Sequence, residues 1–464
     1  PIRAFKIAFD GAPVSVPMQR HKRNQQPIYI AIAVVVAFVA GGVLWQKPWV
    51  PRVESASPDR MSQPLPNRPS VAVLPFDNIA NDKAQERLIR GLAGDIIGAL
   101  SRLTELFVID QMSTETYAGK TVSVRQAAED LGVQYIVLGD LERDGNRLRI
   151  NVQLVDALTG ETVWSERYQR TIRDLFAVRD DIARRIVQAV GIKIGSGDQT
   201  DLKGDDMSLE AWLLMKEASE FANEPSPKNL RRGREIMERV VKMEPDIAKA
   251  YVWLSVLTRL EVQLGSSKDP EADMQKAREA AQKAKELKPD DGGSYTALSN
   301  WYIMRGQHDE GVNAIRQAVK LEPGNAPIVG TGAMVYFYAG DYQEAIRHGQ
   351  RALRMLPRSR LHWIMAQVGS AMQISGDLKG AEKIWREMLS TDPAAFWVGI
   401  SKQQLAIIAG DRGDDMMGRQ LVEEALKAAP YLTQAGMRQR SPMRDPNALD
   451  PWLNTLDRLG LPAK

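Results

Sequence analysis

The sequence predicts a multidomain fold class: one transmembrane helix, a compact α/β domain and an all-α solenoid of paired helices. Three observations carry this. Residues 28–45 form an uncharged apolar run, residues 70–195 alternate strand-like and helix-like patterns, and beyond residue 206 prolines close successive amphipathic helices. Two of the proline spacings, Pro289 to Pro323 and Pro323 to Pro357, are 34 residues. A chain of 464 residues is long enough for two or three folded units.

The membrane element comes first. From Ile28 to Trp45 the chain reads IYIAIAVVVAFVAGGVLW, eighteen residues without a charge. As a helix this run is about 27 Å long, close to the hydrocarbon thickness of a bilayer. A soluble helix of this length would carry a polar face, and this one has none. A cleaved leader fits less well, because residues 1–27 precede the run and no small-x-small cleavage site follows it. Arg20, His21, Lys22 and Arg23 flank it on the amino-terminal side, against Lys47 and Arg52 on the other. The positive-inside rule therefore expects residues 1–27 in the cytoplasm, a span at 28–46, and residues after 50 in the periplasm of a bacterial inner membrane. Trp45 and Trp49 would sit at the outer interface. Residues 47–69, rich in Pro and Ser, read as an extended linker.

The α/β domain is read over 70–195. VAVLPF (71–76) is a continuous apolar run, the pattern of a strand buried on both faces. Leu88, Leu92, Ile96, Ile97 and Leu100 then recur at helical spacing; FVID (107–110) and YIVLG (135–139) are further buried strands, and 124–133 is a short helix ending at Gly132. Strand and helix in alternation imply parallel pairing. Beyond them the period changes to two, with Leu148, Ile150, Val152 and Leu154 on one face and Arg147, Arg149, Asn151 and Gln153 on the other. Asp144-Gly145-Asn146 and Thr159-Gly160 are the turns that make this a meander. A final helix, with Asp174 as its expected cap, lines up Leu175, Val178, Ile182, Ile186 and Val190.

The runs VAVLPFDN, RGLAGDIIGALSRL, ELFVID, AEDLGVQYIVLGDLERDGNRLRINVQLVDALTGETVWSERY and DLFAVRDDIARRIVQAV resemble the TolB amino-terminal-like domain over about 125 residues. The resemblance implies an accessory domain that joins an amino-terminal signalling output to carboxyl-terminal repeats, with no chemistry of its own.

Residues 206–460 read as a tetratricopeptide array, the 34-residue period being that of the unit. Prolines 245, 289, 323, 357, 393 and 430 close its helices, and Gly306, Gly340 and Gly376 stand seventeen residues before three of them, at the turn inside each helix pair. Ala277 with Ala284, Gly311 with Ala318, and Ala345 with Ala352 supply small residues where helices approach. Tyr251, Leu254, Tyr295, Leu298, Tyr302 and Tyr336 fill the gaps opposite. The longer Pro245–Pro289 interval is absorbed by an extended turn at 264–273, and a last unit marked by Gly410 and Pro430 caps the array. Such arrays bind peptides or protein surfaces in the groove lined by first helices. Helical phase brings Asn300, Met304, Met334, Phe337, Tyr338, Trp363 and Ser370 near that groove; packing between repeats is the other use for each.

Composition adds exclusions. Lys and Arg total 61 against 58 Asp and Glu, a formal charge of +3 that gives no reason to expect nucleic acid. Cysteine is absent, which removes disulfides, thiol catalysis and thiolate metal sites. Gly119-Lys120-Thr121 ends like a phosphate loop, but Thr114 stands where the first glycine belongs. Gly91, Gly94 and Gly98 read as helix packing. The four histidines, His21, His308, His348 and His362, show no ligand spacing. Asp180-Asp181 and Asp414-Asp415 read as solvated helix surfaces. No catalytic, cofactor-binding or metal residue is assigned.

The opening residues PIRAFKIAFDGAP, with Ile2, Ala4, Phe5 and Ile7, resemble the last strand of class III nucleotide cyclase domains. With the span, the TolB amino-terminal-like domain and the repeats, this resembles the layout of rhizobial-type adenylate or guanylate cyclases. The resemblance implies that catalysis, ATP and magnesium belong to a domain upstream of Pro1, that the chain is its membrane-anchoring, sensory and protein-interaction region, and that the assembly is a homodimer. The alternative is a non-enzymatic membrane-tethered scaffold or the tail of a transmembrane winged-helix transcription regulator.

Overall fold

The computed structural model describes residues 54–80, 83–192, 207–223, 226–263, 265–359 and 361–463. The expected membrane span at 28–46 and the tail 1–27 lie outside the described residues, among which no helix is long and apolar enough to cross a membrane.

A six-stranded sheet is built from β1 (Ser70–Val73), β2 (Asp77–Asn78), β3 (Phe107–Val108), β4 (Tyr135–Asp144), β5 (Arg147–Asp156) and β6 (Glu161–Thr171). The order is β3-β1-β4-β5-β6, with β2 also paired to β4. β1 is parallel to β3 and β4, whereas β4, β5 and β6 form an antiparallel meander. The change in hydrophobic period marks this change in pairing. Val71 and Val73 face α1 (Lys83–Leu100) and α4 (Leu175–Ala189), while Ala72 and Leu74 face the layer containing α3 (Val124–Leu131). β1 is buried throughout because both its sides are covered. On β5, Leu148, Ile150, Val152 and Leu154 are buried and Arg147, Arg149 and Gln153 are exposed.

Between β3 and α3 the chain makes one short helix, α2 (Gln111–Thr114), capped by the Asp110 carboxylate on Met112 N–H. Residues from Glu54 on do not behave as a free linker. Ala56 N–H donates to the Ala157 carbonyl at 2.7 Å, and the Glu129 side chain accepts from Ser57 N–H. Asp174 differs from its expected role: its carboxylate turns back to accept from Thr171 N–H at 3.1 Å and Thr171 Oγ at 2.8 Å, bracing the 3₁₀ turn that leads into α4. Gly91 and Gly94 are packing glycines, for a Cβ on either would fall 2.3 Å from the Trp212 ring and 2.0 Å from the Gln111 amide. Gly98 has no such neighbour within 4 Å.

The rest is a tetratricopeptide-type solenoid. Its helix pairs are α5 (Leu209–Asn223) with α6 (Pro227–Met243), α7 (Ala248–Gln263) with α8 (Pro270–Leu287), α9 (Gly292–Met304) with α10 (His308–Leu321), α11 (Ala326–Ala339) with α12 (Tyr342–Met355), α13 (His362–Ile374) with α14 (Leu378–Ser390), and α15 (Ala395–Asp411) with α16 (Asp415–Ala428). Equivalent helices α9 and α11 begin 34 residues apart, as do α10 and α12. Asn325, Asp341, Asp377 and Asp414 cap α11, α12, α14 and α16 through a side-chain oxygen, each worth about 0.5–2 kcal/mol. Gly306, Gly340 and Gly376 hold left-handed backbone (φ +73°, +86° and +87°) at the turns within pairs. In the last pair the turn residue is Gly413 (φ +83°), again seventeen residues before its proline, Pro430. Gly410, the expected marker, instead lies inside α15, where a Cβ would meet Thr455 Cγ2 at 2.7 Å. The turn between α7 and α8 is shorter than expected, because Asp269 caps a helix that already starts at Pro270.

Beyond α16 the chain does not add another pair of the same kind. It forms α17 (Gln434–Arg440), an irregular stretch, and α18 (Asp450–Leu459), which packs on α15 and α16.

Candidate protein-interaction surfaces

Because the helices of each pair are antiparallel, the solenoid has two long edges. One gathers the connections between pairs; the other gathers the turns within pairs. Each is covered by a different part of the chain.

The between-pair edge holds the α/β domain. Asp95 on α1 accepts from Trp212 Nε1 and Lys216 Nζ, both on α5 and both at 2.7 Å. Lys249 at the start of α7 and Arg179 on α4 lie 3.9 and 3.8 Å from the same carboxylate. Burial works to raise the Asp95 carboxyl, but Lys216, Lys249 and the two hydrogen bonds outweigh it and hold it well below the usual carboxylate range. Further along, Gly324 N–H donates to the Ser101 carbonyl at 2.7 Å, and Asp110 N–H to the Met355 carbonyl at 3.0 Å. Arg354 donates to the carbonyls of Leu131, Gly132 and Pro64 while its guanidinium stacks 4.9 Å over Phe107. Arg358 reaches Thr116 and Asp130 and lies over Tyr117. Ile109, Tyr117, Leu131 and Ile136 from the domain share one apolar core with Val329, Leu353, Met355 and Leu356 from the solenoid. Burial at this seam pushes the Asp110 carboxyl up to about 6 and pulls the Arg354 guanidinium down to about 10.

The within-pair edge holds the chain's own last segment. His308 Nε2 lies 2.8 Å from the Pro442 carbonyl, to which it donates, because a carbonyl can only accept. Arg444 N–H donates to the Tyr338 carbonyl at 2.8 Å, and Arg444 Nη2 pairs with Asp309 at 2.5 Å. Met443, Leu449 and Trp452 are buried in a cluster with Ile303, Phe337 and Tyr338. Thr455 Oγ donates to Asp411 at 3.0 Å, and Arg458 reaches the Gly410 carbonyl and Asp415.

The expected groove residues therefore divide. Met304 stays 39% exposed, and Met334, Trp363 and Ser370 are half-buried. Phe337 and Tyr338, expected to be open to a ligand, are instead buried in the cluster that holds Met443. Trp363 packs over Gly330 and serves the contact between repeats. Asn300 is buried with Oδ1 unpaired. Gln403, which helical phase did not single out, is fully buried with both amide atoms unpaired.

The residues weighed for chemistry find structural roles. Gly119, Lys120 and Thr121 are an exposed loop ahead of α3. His348 packs against Tyr336, and burial together with Arg347 pulls its imidazole down to about 4. His362 contacts Thr391, and His21 lies outside the described residues. Among the described residues no three His, Asp or Glu side chains are grouped to hold a metal. The acidic pairs are not merely solvated: Asp180 pairs with Arg179, Asp181 accepts from Tyr168 Oη at 2.8 Å, Asp414 caps α16, and Asp415 pairs with Arg458. A shallow cavity of about 370 Å³ lined by Arg87, Arg143, Leu213 and Glu217 carries no such cluster either.

Comparison with known proteins finds partial similarities. A family described as HilA/YgeH-like transcriptional regulator, second domain, matches residues 67–185. The chain is 35% identical over 214 residues to a protein of Rhizobium meliloti (strain 1021) named "Putative adenylate cyclase 3", covering 45% of this chain and 36% of that one. It is 21% identical over 300 residues to the transcriptional regulator HilA of Salmonella typhimurium (strain LT2), covering 63% of this chain and 52% of HilA. The chain thus spans well under two thirds of either relative. Among solved structures, the type IV pilus biogenesis factor PilW is similar at 15% identity and a TM-score of 0.38, over 50% of this chain and 99% of PilW. YrrB, described as a TPR protein with an unusual peptide-binding site, is similar at 14% identity and a TM-score of 0.32, over 42% of this chain and 93% of YrrB.

Proposed function

We propose that this chain is the non-catalytic membrane-anchoring, sensory and protein-interaction region of a class III adenylate cyclase, with ATP and magnesium chemistry carried by a domain upstream of residue 1. The observation that supports it most is the 35% identity over 214 residues to the Rhizobium meliloti protein named "Putative adenylate cyclase 3". The α/β domain and the repeats share an apolar core along one solenoid edge, so a partner taken by the repeats would act on the α/β domain as well. In this reading residues 28–46 span the inner membrane, the α/β domain and repeats stand in the periplasm, and two copies pair because class III catalysis unites two catalytic domains.

A second reading, the carboxyl-terminal part of a transmembrane winged-helix transcription regulator, is favoured by the family match over 67–185. Sequencing upstream of the codon for Pro1 separates the two. A class III catalytic domain supports the cyclase reading, and a winged-helix DNA-binding domain replaces it. Topology is tested by an alkaline phosphatase fusion at Asp59: activity supports a periplasmic location for the domains, and an inactive but stable fusion contradicts it.

A further inference from the structure

We infer that the within-pair edge of the solenoid around α9–α12 is a docking site for an extended peptide, and that residues 441–449 of this chain occupy it as a displaceable strap. The inference rests on the reading of the repeats as a protein-interaction surface and names what keeps that surface closed.

The strap makes the contacts a bound peptide would make. Main-chain groups are read at two points, the Pro442 carbonyl by His308 and the Arg444 N–H by the Tyr338 carbonyl. The latter is one of the carbonyls that the end of α11 cannot satisfy within the helix. Between these points a single apolar side chain, Met443, enters the cluster with Phe337 and Tyr338, and the next residue, Arg444, meets Asp309. Backbone pairing with one apolar anchor and one charge is how extended segments are recognised. The chemistry taken is therefore an apolar residue followed by an arginine in an extended chain.

The strap fits less well than a permanent part of the core. Asp309 is 82% exposed and Arg444 46%, so their ion pair is a surface contact of little worth. By contrast α18 is anchored by the buried side chains of Trp452, Leu453, Leu456 and Leu459, the last against Gly418, and by Thr455 on Asp411. Release of Met443 and Arg444 therefore needs no release of α18, whose first helical bond runs from Leu453 N–H to the Leu449 carbonyl.

The test uses the whole chain and a labelled synthetic peptide of sequence SPMRDPNAL, residues 441–449. The double variant Met443→Ser, Arg444→Glu opens the strap, and the expected result is peptide binding at least about tenfold tighter than to the unmodified protein. Adding Asp309→Arg to this variant abolishes binding, and a peptide carrying Glu in place of the arginine restores it. In the unmodified protein, excess peptide makes 441–449 more susceptible to proteolysis, which keeps the inference testable should the variant fold poorly. Equal binding to both proteins, or binding to neither with no change in proteolysis, overturns it. A peptide library that binds elsewhere on the solenoid would preserve the interaction reading while the strap fails.

Discussion

The two edges of the solenoid are covered by parts of the same chain, but in different ways. Along the between-pair edge, contacts recur from Trp212 through Gly324 to Arg358, and apolar side chains from both sides merge into one core. Along the within-pair edge near α9–α12, the cover is two main-chain hydrogen bonds, one exposed ion pair and a few apolar side chains. The first arrangement fixes a domain. The second closes a surface that can be reopened. Together they assign rigidity to one edge and exchange to the other.

The largest expected effect breaks the rigid edge. Asp95→Ala leaves the partly buried Lys216 without its carboxylate and Trp212 Nε1 without an acceptor, and should cost about 3 kcal/mol in urea unfolding, the low end for a fully buried pair. A cost under about 1 kcal/mol would mean that the seam does not depend on this cluster.

Next is a group on α12, between the two edges. Burial lowers the His348 pKa from 6.5 to about 4, so between these values the unfolded chain binds more protons than the folded one. Stability should therefore be greatest above pH 6.5 and decline as pH falls toward 4, by roughly 3 kcal/mol from this group. His348→Gln should flatten that part of the profile, and an unchanged slope in urea melts across this range would contradict the assignment.

Arg354→Ala removes donors from three carbonyls of the α/β side and should cost about 2 kcal/mol in urea unfolding. Smallest is Arg444→Ala. The exposed pair with Asp309 should contribute less than about 1 kcal/mol to global stability, while local exchange across 441–449 rises. A global loss comparable to that of Asp95→Ala would make the strap part of the core.

How much of this was legible in the sequence depends on the range of the interaction. Local period carried the strands: the run from Val71 is apolar without interruption because both faces of β1 are covered, and β5 alternates because one of its faces is not. Repetition carried the helix pairs, since Gly306, Gly340 and Gly376 mark left-handed turns at a fixed distance from their prolines. The same rule pointed to Gly413, but Gly410 is also a glycine near the expected turn, and its role, clearance for Thr455, comes from a helix far along the chain. The Asp95 cluster was hidden for a like reason. Trp212 lies 117 residues away, and no period connects them. Phe337 and Tyr338 were expected near an open groove, and nothing local showed that residues 441–449 would lie over them. The span at 28–46 remains an expectation from composition, outside the described residues.

The contrast between the edges is tested most directly by hydrogen exchange on the intact chain with and without excess SPMRDPNAL peptide. The expected result is accelerated exchange at Arg444, whose amide loses the Tyr338 carbonyl, with unchanged protection at Asp110 and Gly324 on the opposite edge. Exchange that rises at both edges together, or at neither, would contradict the account.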